Sequence, residues 1–226
     1  MLFRSVEVLF APAAVNLGGP KPKALLAALM LEPGHVVALD RLIDLIWDEQ
    51  PPRSAVALVH TYVSALRRGF ASIGEQSALA TRTPGYLLEV DPADVDLVMF
   101  ARQMRDARQA ERDHDHTAAA EAYRHAATLW RGPAFGGVDA QFARTRATAL
   151  EDERLAAQEG LARCELALGQ VSAALSRLTV LSAAHPLRED ARGLLMRALY
   201  LSGRQGDALA AYRTGREHLI NELGVE

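Results

Sequence analysis

Between Arg53 and Phe70 the chain carries His60, Thr61, Ser64, Arg67 and Arg68 and not one carboxylate. Hydroxyls and an imidazole donate and accept hydrogen bonds, whereas guanidinium groups only donate, to phosphate or to guanine. Such residues suit an anionic polymer edged with hydrogen-bonding groups, such as duplex DNA. Spacing decides whether they share a face. Val59, Val63, Leu66 and Phe70 recur at i, i+4, i+7 and i+11, one apolar side of a helix. The polar residues fall on the other side. The stretch from Pro51 to Arg68, PPRSAVALVHTYVSALRR, is therefore predicted to be one amphipathic helix opened by two prolines and a serine. Buried on one side and cationic on the other, it fits a major groove. Taken alone, the segment reads equally well as a solvated surface helix, since charged outer faces are the norm.

The elements around it favour the first reading. A polar loop follows Phe70, then Ala80 to Val90, ATRTPGYLLEV, offers a β-rich run with a Pro84-Gly85 turn and an aromatic directly after it. Helix, loop and short hairpin, with Arg82 beside the turn, is the order of a winged helix, whose wing arginine reaches a phosphate or the minor groove. Upstream, Gly18-Gly19-Pro20 precedes an apolar helix expected over Lys23 to Leu31, with Pro22 near its start. A second helix is expected from about Leu39 to Trp47, with Asp40 near its N-terminus and Leu42, Ile43, Ile46 and Trp47 as its apolar face. Phe3 to Phe10 and Val15 to Leu17 read as β-like runs ahead of them.

The blocks GGPKPKALLAALML, LDRLIDLIWDEQPPRSA, LVHTYVSALRR and TRTPGYLLEVD resemble, in order, the Streptomyces antibiotic regulatory protein family and the DNA-binding half of OmpR-type response regulators. LWRGPAFGGV, HPLREDARGLLMRALYLSGRQGDALAAYR and ELGVE resemble the bacterial transcriptional activator domain that follows the winged helix in that family. The matches span nearly the whole chain. One departure is Pro22-Lys23, where the family often has a glutamine-arginine pair.

The resemblance implies a mainly α fold with a small β component. An OmpR-like winged helix-turn-helix would occupy residues 1–95, and an α-helical, tetratricopeptide-like repeat domain residues 96–226. The expected DNA-contacting residues are Lys21, Lys23, Arg53, Ser54, His60, Thr61, Ser64, Arg67 and Arg68 from the helical part. Arg82, Thr83, Gly85 and Tyr86 are expected to join them from the wing. His60, Thr61 and Ser64 would face base edges, and the arginines would grip phosphate or frame the site. Asp48, Glu49 and Gln50 are expected to touch RNA polymerase or a sigma factor. Members of this family bind direct repeats upstream of biosynthetic genes and recruit RNA polymerase. The implied partners are thus double-stranded promoter DNA, the polymerase with its sigma factor, and a second copy of the chain on DNA. No cofactor, metal or membrane is expected.

At 226 residues, half of them apolar, the chain is long enough for two domains with real cores. Its net charge is only -3, and residues 1–95 hold 8 Lys and Arg against 10 Asp and Glu. Nucleic-acid-binding domains are usually basic as a whole; here the cations are segregated onto the third helix. An acidic exterior elsewhere would weaken binding to random DNA and leave more to specific contacts. The single cysteine, Cys164, falls inside a helical pattern and reads as a buried thiol. With no signal-peptide pattern at Met1 to Phe10 and no long apolar run, a cytoplasmic location is expected.

The second half repeats itself. Gly169 and Gly203, Ala174 and Ala208, Leu175 and Leu209, Leu178 and Tyr212, and Leu166 and Tyr200 are each 34 residues apart. That is the tetratricopeptide period. The small residues would let paired helices approach, the larger ones would fill the groove beside them, and Pro186 ends the first copy. Ala119, Tyr123 and Ala126 outline a weaker earlier copy. Asp139 to Leu168 is long enough for one extended helix with a solvated, charge-alternating face. DPADVD, from Asp91 to Asp96, reads as the connector between the halves, with a new helix starting at about Asp96.

Catalytic patterns are weak. His114, Asp115 and His116 have metal-like composition but lie at an expected turn and read as a polar loop. Gly18-Gly19-Pro20-Lys21 lacks the P-loop pattern, and neither GxSxG nor HExxH occurs. Gly132-Pro133 and Gly136-Gly137, after Trp130, read as a packed loop. The expectation is a non-enzymatic, DNA-binding transcriptional activator. The rival reading is an interaction scaffold of tetratricopeptide-like helices whose winged helix does not bind DNA.

Overall fold

The computed structural model describes residues 6–10 and 13–224. Strands β1 (Leu9–Phe10) and β2 (Ala13–Ala14) form a short antiparallel ladder. Helices α1 (Pro20–Met30), α2 (Leu39–Trp47) and α3 (Ala55–Ala71) follow, with strand β3 (Val36–Ala38) leading directly into α2. Strands β4 (Leu79–Arg82) and β5 (Gly85–Leu88) close a three-stranded antiparallel sheet in the order β3-β5-β4. Then come α4 (Asp96–Arg112), α5 (His116–Thr128), α6 (Gln141–Ala167), α7 (Val171–Ala184), α8 (Glu189–Leu201) and α9 (Gln205–Leu223).

The expected helix bounds hold closely where periodicity was strong. α2 spans the expected residues, with Leu42 and Ile46 fully buried, and α4 begins at Asp96. α1 starts three residues earlier than expected, at Pro20. Proline suits the first turn because its missing N–H is one that a helix start leaves unpaired anyway. Every residue from Ala24 to Met30 is buried, so α1 is the central helix of its unit rather than an amphipathic cover. Burial of each of Leu25, Leu26 and Leu29 contributes about 1.5–3 kcal/mol relative to exposure. The β-like run expected at Val15 to Leu17 is irregular chain, although the Val15 N–H donates to the Val8 carbonyl at 2.8 Å. Of the run expected from Phe3 to Phe10, residues 3–5 lie outside the described residues, Val6 to Val8 are irregular, and only Leu9–Phe10 forms strand.

By internal contacts the chain groups into two compact units, Met1–Arg102 with Thr128–Glu151, and Gln103–Ala127 with Asp152–Glu226. The first unit contains the three-helix and wing assembly. In it Phe100 meets Trp130 edge to face at 5.5 Å, and Phe135 meets Phe142 at 6.4 Å. The loop after Trp130 is accordingly packed, with Ala134 and Val138 buried.

In the second unit Ala162, Leu166, Ala174, Leu178 and Ala198 form one apolar cluster, with Leu175, Leu194 and Leu195 packed against it. Gly169 and Gly203 turn the chain between helices at φ of 73° and 76°, a region open to glycine. Ala174 and Ala208 are both buried, as the 34-residue period predicts. The larger residues are not equivalent between copies. Leu166 and Leu178 are covered by α8, whereas Tyr200, Leu209 and Tyr212 stay exposed because no helix among the described residues lies over them. Ala119, Tyr123 and Ala126, the weaker copy, are buried. Gly160 is where Tyr123 packs: a Cβ there would lie 2.4 Å from the tyrosine ring. Asp115 caps α5, its Oδ1 accepting from the Ala118 N–H at 3.0 Å, which accounts for its place in the His114–His116 loop.

Candidate nucleic-acid interface

α3 is anchored by the apolar face read from its spacing. Val59, Val63, Leu66 and Phe70 are all buried. The opposite face is open: Arg53, Ser54, His60, Thr61, Ser64 and Arg68 are exposed. Val56 and Ala57 share that face, and Val56 is 46% exposed. Sequence reasoning passed over these two because an apolar residue near a helix start reads as core. Here they add a methyl surface of the kind that packs on thymine.

The hydroxyls of α3 are not free rotors. Thr61 Oγ1 donates to the Ala57 carbonyl at 2.9 Å and Ser64 Oγ to the His60 carbonyl at 2.9 Å. Their protons are spent on their own helix, so they present acceptor lone pairs outward. Ser54 precedes α3 without capping it through its side chain. Arg68 stands in the last turn of α3 with no partner among the described residues.

Four expected contact residues turn out to be engaged or enclosed. Arg67 was expected at phosphate. Instead its Nε donates to the Leu79 carbonyl at 2.9 Å and its Nη2 to Thr81 Oγ1 at 2.8 Å, because β4 passes beside the end of α3. Lys21 was expected on DNA. Its Nζ donates to the Ile46 carbonyl at 2.8 Å and lies 5.7 Å from the centre of the Trp47 ring. It thereby satisfies a C-terminal carbonyl of α2, where a cation is favoured by the helix dipole. Lys23 is half-buried with no side-chain partner among the described residues.

Gly85 and Tyr86 are the other two corrections. The turn tip is Thr83-Pro84, and Gly85 is the first residue of β5, set between Ala38 and Arg82 in register. A Cβ at Gly85 would stand 1.9 Å from the Val37 carbonyl oxygen, so glycine lets β3 and β5 close on each other. Tyr86 is buried between β3 and β4, and desolvation raises its phenol above the ordinary range. Both are largely enclosed by the neighbouring strands and reach the outside only where they line the cleft between α3 and the wing. Strand β3 has no signature in the sequence, since three residues merging into a helix show no alternation.

Thr81, Arg82, Thr83 and Pro84 are exposed along the wing. Arg82 Nη2 pairs with Glu89 at 3.2 Å, an exposed pair that a phosphate would readily displace. His60, Thr81 and Thr83, with Leu39, Pro84, Gly85 and Tyr86, line an open cleft of about 220 Å³ where α3 meets the wing. Trp47 stacks on Tyr62 at 6.0 Å, holding α2 against α3, while Asp48, Glu49 and Gln50 beyond it are exposed. Asp48 has φ of 55°, and the Gln50 N–H donates to the Trp47 carbonyl at 3.1 Å, so the loop turns sharply away from α2.

A buried three-helix core, a helix with an open cationic and hydroxyl-bearing face, and an adjoining wing define a winged-helix transcriptional regulator. The family model "Transcriptional regulatory protein, C terminal" matches residues 15–88 and "Bacterial transcriptional activator domain" matches residues 95–226. The chain belongs to the Streptomyces antibiotic regulatory protein family of transcriptional regulators, with an OmpR-type DNA-binding domain and a bacterial transcriptional activator domain.

Among its relatives, the regulatory protein AfsR of Streptomyces griseus is 39% identical over 94% of this chain. The regulatory protein DnrI of Streptomyces peucetius is 36% identical over 91% of this chain and 79% of its own length. A solved structure of Mycobacterium tuberculosis EmbR, in complex with a low affinity phosphopeptide, matches 100% of this chain with a TM-score of 0.92 at 35% identity. The chain spans only 21% of AfsR, and 60% of the EmbR chain in that structure. Among the described residues no helix is long and apolar enough to cross a membrane.

Proposed function

We propose that this chain is a sequence-specific transcriptional activator acting in the cytoplasm. It places α3 in the major groove of promoter direct repeats and lays the wing along the adjacent backbone. The observation that carries the reading is the carboxylate-free, exposed face of α3, held out by a fully buried opposite face. His60, Thr61 and Ser64 lie at the centre of that face, with Val56 and Ala57 beside them. Arg53 and Arg68 stand at its two ends, near enough to the helix termini to meet phosphates. Because Thr61 and Ser64 present acceptors, they suit the amino groups of adenine or cytosine. Residues 1–95 would carry DNA binding and residues 96–226 the activating half. Two copies would occupy successive repeats.

The exposed loop of Asp48, Glu49 and Gln50 is assigned to RNA polymerase or its sigma factor. It is acidic, projects from the end of α2, and packs little. Membership of the Streptomyces antibiotic regulatory protein family supports control of secondary-metabolite genes. Footprinting of the promoters beside its own gene tests the reading. Protected direct repeats, with affinity falling steeply with salt, are expected; binding that ignores salt would favour the scaffold alternative. Asp48→Ala with Glu49→Ala should leave the footprint intact and reduce transcription in vitro, and joint loss of both would assign the loop to the fold.

A further inference from the structure

Resting on the DNA-binding reading, we propose that the Thr81 hydroxyl donates to a DNA backbone phosphate seated in the cleft between α3 and the wing. Arg67 is the positioning residue that aims it. The Thr81 side chain on β4 is turned to α3, since Arg67, near the end of that helix, steadies itself from Nε on the Leu79 backbone carbonyl at 2.9 Å and donates from Nη2 to Thr81 Oγ1 at 2.8 Å.

The polarity of the second bond decides the chemistry. A guanidinium has donors and no acceptor, so Thr81 Oγ1 must accept. Its one proton is thereby left for another group, and its donation is strengthened by the cation behind it. Thr61 and Ser64 are in the opposite state, with their protons already given to Ala57 and His60 carbonyls. Thr81 is thus a preset outward donor beside the α3 face. It is exposed, it lines the cleft with His60 and Thr83, and no carboxylate is among the lining residues. A non-bridging phosphate oxygen there meets the Thr81 proton, with Thr83 and the His60 ring as further donors.

The role differs from a direct arginine–phosphate contact in what it does to salt dependence. A neutral hydroxyl donates without displacing a counterion of its own, so its loss lowers affinity and leaves the salt slope in place. A guanidinium on the phosphate would take about one unit of slope with it.

The test uses the full chain and a duplex of the promoter fragment protected in footprinting, with single methylphosphonate substitutions along both strands. Wild type should lose about tenfold affinity at one position flanked by the helix and wing footprints. Thr81→Val and Arg67→Lys should each lose a similar factor on unmodified DNA and become insensitive at that same position. The double variant should be no worse than either, and Thr81→Ser should restore binding. Melting temperatures of the free proteins separate these effects from loss of fold; should Arg67→Lys unfold, Thr81→Val and Thr81→Ser still decide. A Thr81→Val protein that keeps the wild-type methylphosphonate pattern overturns the assignment. So does an Arg67→Ala protein that loses a unit of salt slope while Thr81→Val is unaffected. If wild type shows no salt-dependent binding to any duplex, the DNA-binding reading itself falls, and this site with it.

Discussion

Arg188 meets the buried carboxylate of Glu159 through two hydrogen bonds, Nε to Oε1 at 2.7 Å and Nη2 to Oε2 at 2.9 Å. The pair joins α6 to the residue that precedes α8, and Asp152 approaches the same guanidinium at 3.5 Å. Removing one partner leaves a buried charge uncompensated, which is far worse than removing both. Arg188→Ala should therefore destabilise the protein by about 3 kcal/mol, read by denaturant unfolding. Arg188→Met with Glu159→Leu should recover most of the loss. A single variant within 0.5 kcal/mol of wild type, a value roughly that of surface changes, would show the pair to be idle.

Lys21 and Arg68 should separate in their response to salt. Arg68→Ala should lower affinity for all duplexes and reduce the salt slope by about one unit, as expected for a lost phosphate contact. Lys21→Ala should leave the slope unchanged and cost about 1 kcal/mol of stability, because its ammonium serves the Ile46 carbonyl. Binding titrations at several salt concentrations, with melting curves alongside, check both.

Ala208 is buried at the helix crossing that repeats Ala174. Ala208→Leu should overpack that crossing and destabilise by roughly 1–3 kcal/mol. Arg204 pairs with Asp207 at 2.6 Å on an exposed face, so Arg204→Ala should stay within about 0.5 kcal/mol. Thermal melts of both variants decide, and a neutral Ala208→Leu would count against the 34-residue repeat.

Asp96 stands buried at the start of α4, and desolvation raises its carboxyl from the ordinary 3.8 to about 6. The Leu97 N–H, donating to its Oδ1 at 2.9 Å, opposes that shift. A folded-state value above the unfolded one means that the folded protein holds the proton more tightly. Its stabilising effect is present below about pH 4 and is lost as pH rises to about 6. Asp96→Asn should lack this component. Relative to wild type it should gain up to about 3 kcal/mol between pH 4 and pH 7, followed by denaturant unfolding across that range. A constant difference between the two proteins would show that Asp96 titrates alike in both states.

The sequence alone determined the features that depend on near neighbours. The bounds of α2, the buried face of α3 at Val59, Val63, Leu66 and Phe70 and the buried alanines at 174 and 208 follow from periods of 3.6 and 34 residues, and the start of α4 at Asp96 follows from the proline-bearing connector before it. A helix shows its faces to anyone who counts along it. The tertiary structure decided which polar groups remain free. Arg67 and Arg68 are adjacent and chemically alike, yet one is held by β4, with its first acceptor 12 residues away, and the other is open to solvent. Lys21 finds its acceptor 25 residues on, and Glu159 its arginine 29 residues on. Gly85 and Tyr86 look like a wing tip in the chain and become its enclosed base, because β3 pairs with them from nearly 50 residues earlier. A donor's availability depends on what the folded chain brings beside it, and that is a property of packing rather than of spacing.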